Sequence, residues 1–173
     1  MNSETRLLLK KRAAALVNET SPQKDTPSAI DIVSFTLSTE TYGIEAAFVK
    51  EIYAMKDYTP LPGIPSFIPG ITSVRGRILA IVNLKKFFDL PESGIGELNK
   101  VIIISNEKNE FGILADTIGG SLLFDKEKLK AIPFHTHGQG SQYIKGINEK
   151  NIILLDAEKI LSDNRLVIND QIL

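Results

Sequence analysis

Few side chains in this sequence have the types and spacing that chemistry requires. His135 and His137 stand two apart in the glycine-rich run FHTHGQG, where they could be metal ligands, a phosphoacceptor or an exposed loop pair. No cysteine and no nearby carboxylate pair completes a coordination set around them. Asp116 follows an apolar run and could act as a general base or as a carboxylate accepting loop amides. Neither GxxxxGK[ST] nor GxGxxG is present to cradle a phosphate, and Gly138-Gln139-Gly140 alone is a weak signal. The serines lack the strand, sharp turn and helix of a nucleophile elbow. Arg75 differs in kind, because it sits between the apolar runs ITSV and ILAIV. It cannot shed its charge, so if buried it needs a carboxylate or carbonyl partner. The chemistry that remains is surface recognition, and no catalytic, cofactor or metal site is expected.

The elements that must position these residues belong to a globular chain. Its 173 residues suffice for one domain or two closely joined subdomains with a genuine core. A net charge of -1 argues against a general nucleic-acid binder. The absence of cysteine removes disulfides and thiolate sites and fits a reducing cytoplasm. No apolar run approaches the roughly 20 residues that span a bilayer, so no direct membrane insertion is expected. Glu4, Arg6, Lys10, Lys11 and Arg12 break the apolar stretch a signal peptide needs.

Ser3, Leu9, Ala13, Leu16 and Val17 predict a capped helix over residues 3–18, and the proline-bearing run ETSPQKDTPS predicts a linker, so that residues 1–28 precede the main domain. The helix's basic cluster Lys10, Lys11 and Arg12 could meet anionic lipid or an acidic partner, or simply face solvent. Residues 32–38 alternate Val33, Phe35 and Leu37 with Ser34, Thr36 and Ser38, which predicts a strand with one face in water. A corner at Thr39-Glu40-Thr41 returns the chain into residues 42–44, and 49–55 is a further apolar run. Pro60, Pro62, Gly63 and Pro65 predict an ordered loop crossing between two sheets or barrel halves. Strands at 71–74 and 78–82 flank Arg75-Gly76, the second apolar enough to be covered on both faces. Asn83 is the expected cap of a helical turn over 84–88.

Beyond an unpatterned loop at 92–99, a buried strand is expected at 101–105. Residues 106–110 form a polar corner whose asparagines tolerate left-handed backbone, and 111–115 pairs back. Gly119-Gly120 bends or bulges the strand 118–124, and a short charged turn follows at 125–130. Residues 134–143 read as a mobile loop, residues 143–148 and 152–155 as the last hairpin, and Asp156 as the cap of a helix over 157–161. Two sets of strands, about five each, both closed by a helical turn, predict a mainly all-β fold of two small barrels.

The run YGIE, VKEI, LPGIP and IPGITSVRGRILAIVNL, followed in order by FGILADTI, YIKGI and IILLDAEKIL, resembles the CheW domain, the coupling protein of bacterial chemotaxis arrays. The likeness covers residues 30–161, within an expected domain of 29–165 and a tail of 166–173. It implies two intertwined five-stranded SH3-like barrels, with the N-terminal helix an addition. It also implies a cytoplasmic adaptor between the signalling tip of a chemoreceptor and the regulatory domain of a CheA-type histidine kinase. By motif match, Val49, Glu51 and Ile52 fall near the family's receptor groove between the barrels. Ile71, Val74 and Arg75, with Tyr143 and Ile144 on the other barrel, fall near the kinase-contacting ends. For Ile52 and Val74 a place in the core is the simpler reading. The resemblance puts Glu51 and Arg75 on neighbouring strands, which suggests an ion pair fixing the groove wall. Two other readings stay open: an adaptor of a pilus or other non-flagellar array, and a barrel binding a small ligand between its halves under a 134–140 lid.

Overall fold

The structure is a computed structural model that describes residues 28–91, 100–132 and 138–167. The expected N-terminal helix, the 92–99 loop, His135 and His137, and the tail past residue 167 lie outside the described residues.

Ten strands build two five-stranded sheets. They are β1 (Ala29–Leu37), β2 (Glu40–Glu45), β3 (Val49–Ala54), β4 (Gly70–Val74), β5 (Arg77–Val82), β6 (Lys100–Ser105), β7 (Glu110–Ala115), β8 (Thr117–Asp125), β9 (Ile144–Ile147) and β10 (Ile152–Leu155). The first barrel has the order β8-β1-β2-β10-β9 and the second β3-β6-β7-β5-β4. Exchanging each of β1 to β5 with the strand five places later converts one order into the other. The details follow the same exchange. The pairs β2–β10 and β5–β7 are both parallel. Both β3 and β8 carry an irregularity where they pair across, at Lys50 and at Gly119. The chain beyond β3 bridges to β4 at Thr59–Ile71, and the chain beyond β8 bridges to β9 at Lys130–Ile147, closing each barrel. A glycine precedes both receiving isoleucines, Gly70 and Gly146, and a Cβ at either would press on the bridging residue's carbonyl oxygen.

Each barrel has a small interior of its own. Ile32, Phe124, Ile152 and Leu154 fill the first, and Val74, Leu79, Ile81, Val101, Ile103 and Leu114 the second. The largest core lies between them, where Phe35, Tyr42, Phe87, Phe88 and Tyr143 gather at centroid separations of 5.2 to 6.5 Å. Such aromatic contacts add to the gain from burial, so the barrels are packed as one body.

Several expectations change in detail. The second face of β1 is not in water: Ser34 is 3% exposed and gives its hydroxyl to the Gly120 carbonyl, while Ile32 is fully buried. Covering by β8 is the reason, and a local pattern cannot announce a partner so far away. The proline-rich loop does not cross between barrels but joins β3 to β4, opposite edges of the second sheet. β5 is not covered on both faces, since Ile78 is 57% exposed. At the 106–110 corner the Asn106 side chain accepts the Lys108 and Asn109 amides, so a side-chain turn replaces the left-handed backbone expected there. Of the expected 134–143 loop, Gly138–Tyr143 is wound into 3₁₀ turns. The helices Leu84–Phe87 and Ala157–Ser162 are capped by Asn83 and Asp156 as predicted.

Candidate protein-docking surfaces

Arg75 and Gly76 form the two-residue tip between β4 and β5, with φ of 51° and 79°. Arg75 Nε lies 3.2 Å from Glu51 Oε2 on β3, so the expected pair is present. Its setting is the exposed one: the arginine side chain is 80% accessible and the glutamate 22%. Around it runs a second network that the sequence reading missed. Arg77 Nη1 donates to both carboxylate oxygens of Glu110 at 2.5 and 2.6 Å, and Lys50 Nζ lies 3.2 Å from the same group. Burial works to raise the Glu110 pKa, but hydrogen bonds from Arg77 and Lys50 outweigh it and hold the carboxyl below its ordinary range. The sequence signal was the spacing Arg-Gly-Arg, which puts one cation in the turn and a second at the start of the strand that leaves it.

The other expected site residues separate into surface and interior. Ile52 is 40% exposed on β3, not core, whereas Val74 is buried inside the second barrel. Val49, Ile71 and Ile144 are half-buried, and Val49 and Ile144 pack against the shared core. Tyr143 is 4% exposed. Its hydroxyl donates to Asp163 Oδ2 and accepts from Arg165 Nη2, and that guanidinium stacks 4.9 Å from the Phe87 ring centroid. Asp116 accepts the Ser38 amide on one oxygen and the Lys85 ammonium on the other, a tie between the barrels.

Among the described residues the surface carries open grooves, of which three stand out. One of about 500 Å³ on the second barrel is lined by Tyr53, Tyr58, Ile71, Thr72 and Ile78. Its counterpart under the strand exchange, about 180 Å³ on the first barrel, is lined by Leu122, Leu123, Lys128, Glu149 and Ile152. Leu123 is 74% exposed. Two adjacent leucines on one strand cannot both point inward, a cue available in the sequence. The third groove, about 570 Å³, runs along the seam between Ala47 and Phe48, the β6–β7 corner, and Glu158 and Ser162 of the last helix. Its lining is more polar than the apolar groove expected there.

Comparison with known proteins agrees with this architecture. Residues 31–165 match the CheW-like domain family. The chemotaxis protein CheW of Treponema pallidum is 34% identical over 78% of this chain and 84% of its own length. The protein of the same description from Klebsiella aerogenes is 29% identical over 82% and 87%. The crystal structure of the scaffolding protein TtCheW from Thermoanaerobacter tengcongensis superposes with a TM-score of 0.68 at 26% identity, covering 79% of this chain and 94% of that one.

Proposed function

The chain belongs to the CheW-like domain family, and from that premise we propose that it is a signalling adaptor that performs no bond chemistry itself. It couples chemoreceptors to a CheA-type histidine kinase in the cytoplasm. The receptor's signalling tip, a helical coiled coil, lies along the seam beside Phe48 and Val49, a helix-in-groove arrangement. The regulatory domain of the kinase docks on the second barrel, across the Arg75–Gly76 tip and Ile78. The observation that carries this reading is the separation of the two surfaces on one jointly packed body: the seam groove draws on both barrels, while the hairpin tip belongs to the second alone. A rigid body with two separate sites can transmit receptor state as a change in kinase geometry. No helix among the described residues is long and apolar enough to cross a membrane.

Calorimetry tests it. The full chain is titrated with a kinase regulatory domain, with a receptor-tip fragment, and with each in the presence of the other. Binding of both at once, in the micromolar range or tighter, is the expected result. Absence of kinase binding at tens of micromolar, or strict competition between the two ligands, overturns it.

A further inference from the structure

Leu123 is the most exposed large apolar side chain among the described residues, at 74%, and Leu122 beside it is 38% exposed. Both stand on β8, an edge of its sheet, and both line the groove of about 180 Å³ on the first barrel. The rim of that groove carries both signs, Lys128 and Lys150 against Asp125 and Glu149, so charge alone selects no ligand. The groove's distinctive feature is its apolar surface, and so small a space receives side chains from one face of a helix rather than a whole element.

The chain supplies an occupant at the right place. β1 opens with Ala29, whose register partner on β8 is Asp125, one of the residues lining the groove. Ser28, just before it, is 9% exposed, and its carbonyl accepts the Lys126 amide. The polypeptide preceding Ser28 is therefore anchored about one strand spacing, roughly 5 Å, from the groove wall.

That preceding stretch, residues 1–27, lies outside the described residues and outside the family match, which begins at residue 31. Its sequence puts Leu9, Ala13, Leu16 and Val17 at the i, i+4, i+7 and i+8 positions of one helix face, with Glu4 and Lys11 opposite. A lone helix of this length is marginal in water and gains most of its stability by burying such a stripe. The run ETSPQKDTPS ties it to β1. About ten residues of coil have an r.m.s. span of about 17 Å and hold the stripe near the groove at an effective concentration on the order of 1 mM. A contact with a Kd of about 0.1 mM between separate molecules is then about nine-tenths occupied within one chain.

We propose that residues 3–18 form an amphipathic arm that docks on the first barrel of its own chain, with Leu9, Ala13 and Leu16 over Leu122 and Leu123. The arm shields the leucines from water and from other chains, and any partner of this end of the barrel must displace it first. No receptor or kinase is needed for the contact.

Amide hydrogen exchange on the full chain tests it, with a peptide of residues 1–27 as the reference. Amides of residues 9–17 are expected to exchange about tenfold more slowly in the full chain than in the peptide, independently of protein concentration. Leu123→Asp alters an exposed side chain, so the barrels stay folded, which protection of Val101 to Ile104 checks, while the slow exchange of residues 9–17 is lost. The double variant Leu9→Asp, Leu16→Asp is expected to lose it from the other side of the contact. Ile78→Asp, at the exposed apolar position of the second barrel, leaves it unchanged. Slow exchange that survives Leu123→Asp places the arm elsewhere on the molecule, and slow exchange that grows with protein concentration places it on a second copy. Exchange that slows only when phosphatidylserine vesicles are added makes the arm a lipid ligand. Each of these three results overturns the proposal, as does exchange as fast as the peptide's under every condition.

Discussion

Lys85 Nζ lies 2.7 Å from Asp116 Oδ1, with the lysine side chain 7% and the aspartate 23% exposed. Lys85 follows β5 of the second barrel. Asp116 stands where the chain leaves that barrel for the first, and Ser38, on its other oxygen, turns β1 into β2 of the first. Removing the carboxylate takes one counter-charge from a buried cation, whereas removing the lysine leaves a partly solvated carboxylate that still accepts the Ser38 amide. Asp116→Asn is therefore expected to cost about 2–4 kcal/mol and Lys85→Met about half that. Urea unfolding of both checks the order, and an equal cost would show that the burial asymmetry does not matter.

The Asp163 carboxyl is held at about 2, below its ordinary 3.8, chiefly by the hydrogen bond from Arg165. Because the folded value is the lower one, this stabilisation is complete above the unfolded value and is lost as pH falls toward 2. It amounts to something on the order of 1–2 kcal/mol. Arg165→Gln should thus lower the urea midpoint at pH 6 and approach the wild type at pH 2.5. A difference that stays constant with pH would assign the effect of Arg165 to its stacking on Phe87 instead.

For Glu51 and Arg75 the accessible setting predicts a coupling energy of about 0–1 kcal/mol in a double-mutant cycle. A value near 3 kcal/mol, the scale of a buried pair, would mean that the tip closes over in solution. Stability and partner binding measured on the same four proteins separate the pair's two roles.

Two glycines of one hairpin make a paired test. A Cβ at Gly70 would overlap the Thr59 carbonyl, while one at Gly76 would meet nothing within 4 Å, though φ there is 79°. Gly70→Ala should cost about 2–3 kcal/mol by steric displacement of the bridge that closes the barrel. Gly76→Ala should cost about 1–2 kcal/mol through backbone conformation alone. Amide exchange distinguishes them: protection of Thr59 and Ile71 is expected to fall in the first variant and persist in the second.

Local periodicity carried most of the strands. Phe35 and Leu37, Asn83, Asp156 and the Gly119-Gly120 irregularity all stand where their residue types put them, because their requirements are met within a few positions. The exchange of strands between the barrels was not legible from the residues themselves. Ile32 reads the same whether or not β8 covers it, and nothing in the local sequence says that β2 will pair in parallel with β10. The same limit governed the site. Glu51 and Arg75 came together as the family likeness suggested, but Tyr143, with an aromatic body and a polar tip that suit a surface, is enclosed by Asp163 and Arg165, which follow it by a helix. Ile78 was hidden in an apolar run whose other members are core or half-buried.

The interleaving of β1 and β2 with β8, β9 and β10 also bears on synthesis. These two strands emerge from the ribosome early, yet every other member of their sheet is translated in the last third of the chain. The middle barrel can assemble on the nascent polypeptide, while β1 and β2 wait with open edges until Leu155 clears the exit tunnel. That interval is when a chaperone would be needed.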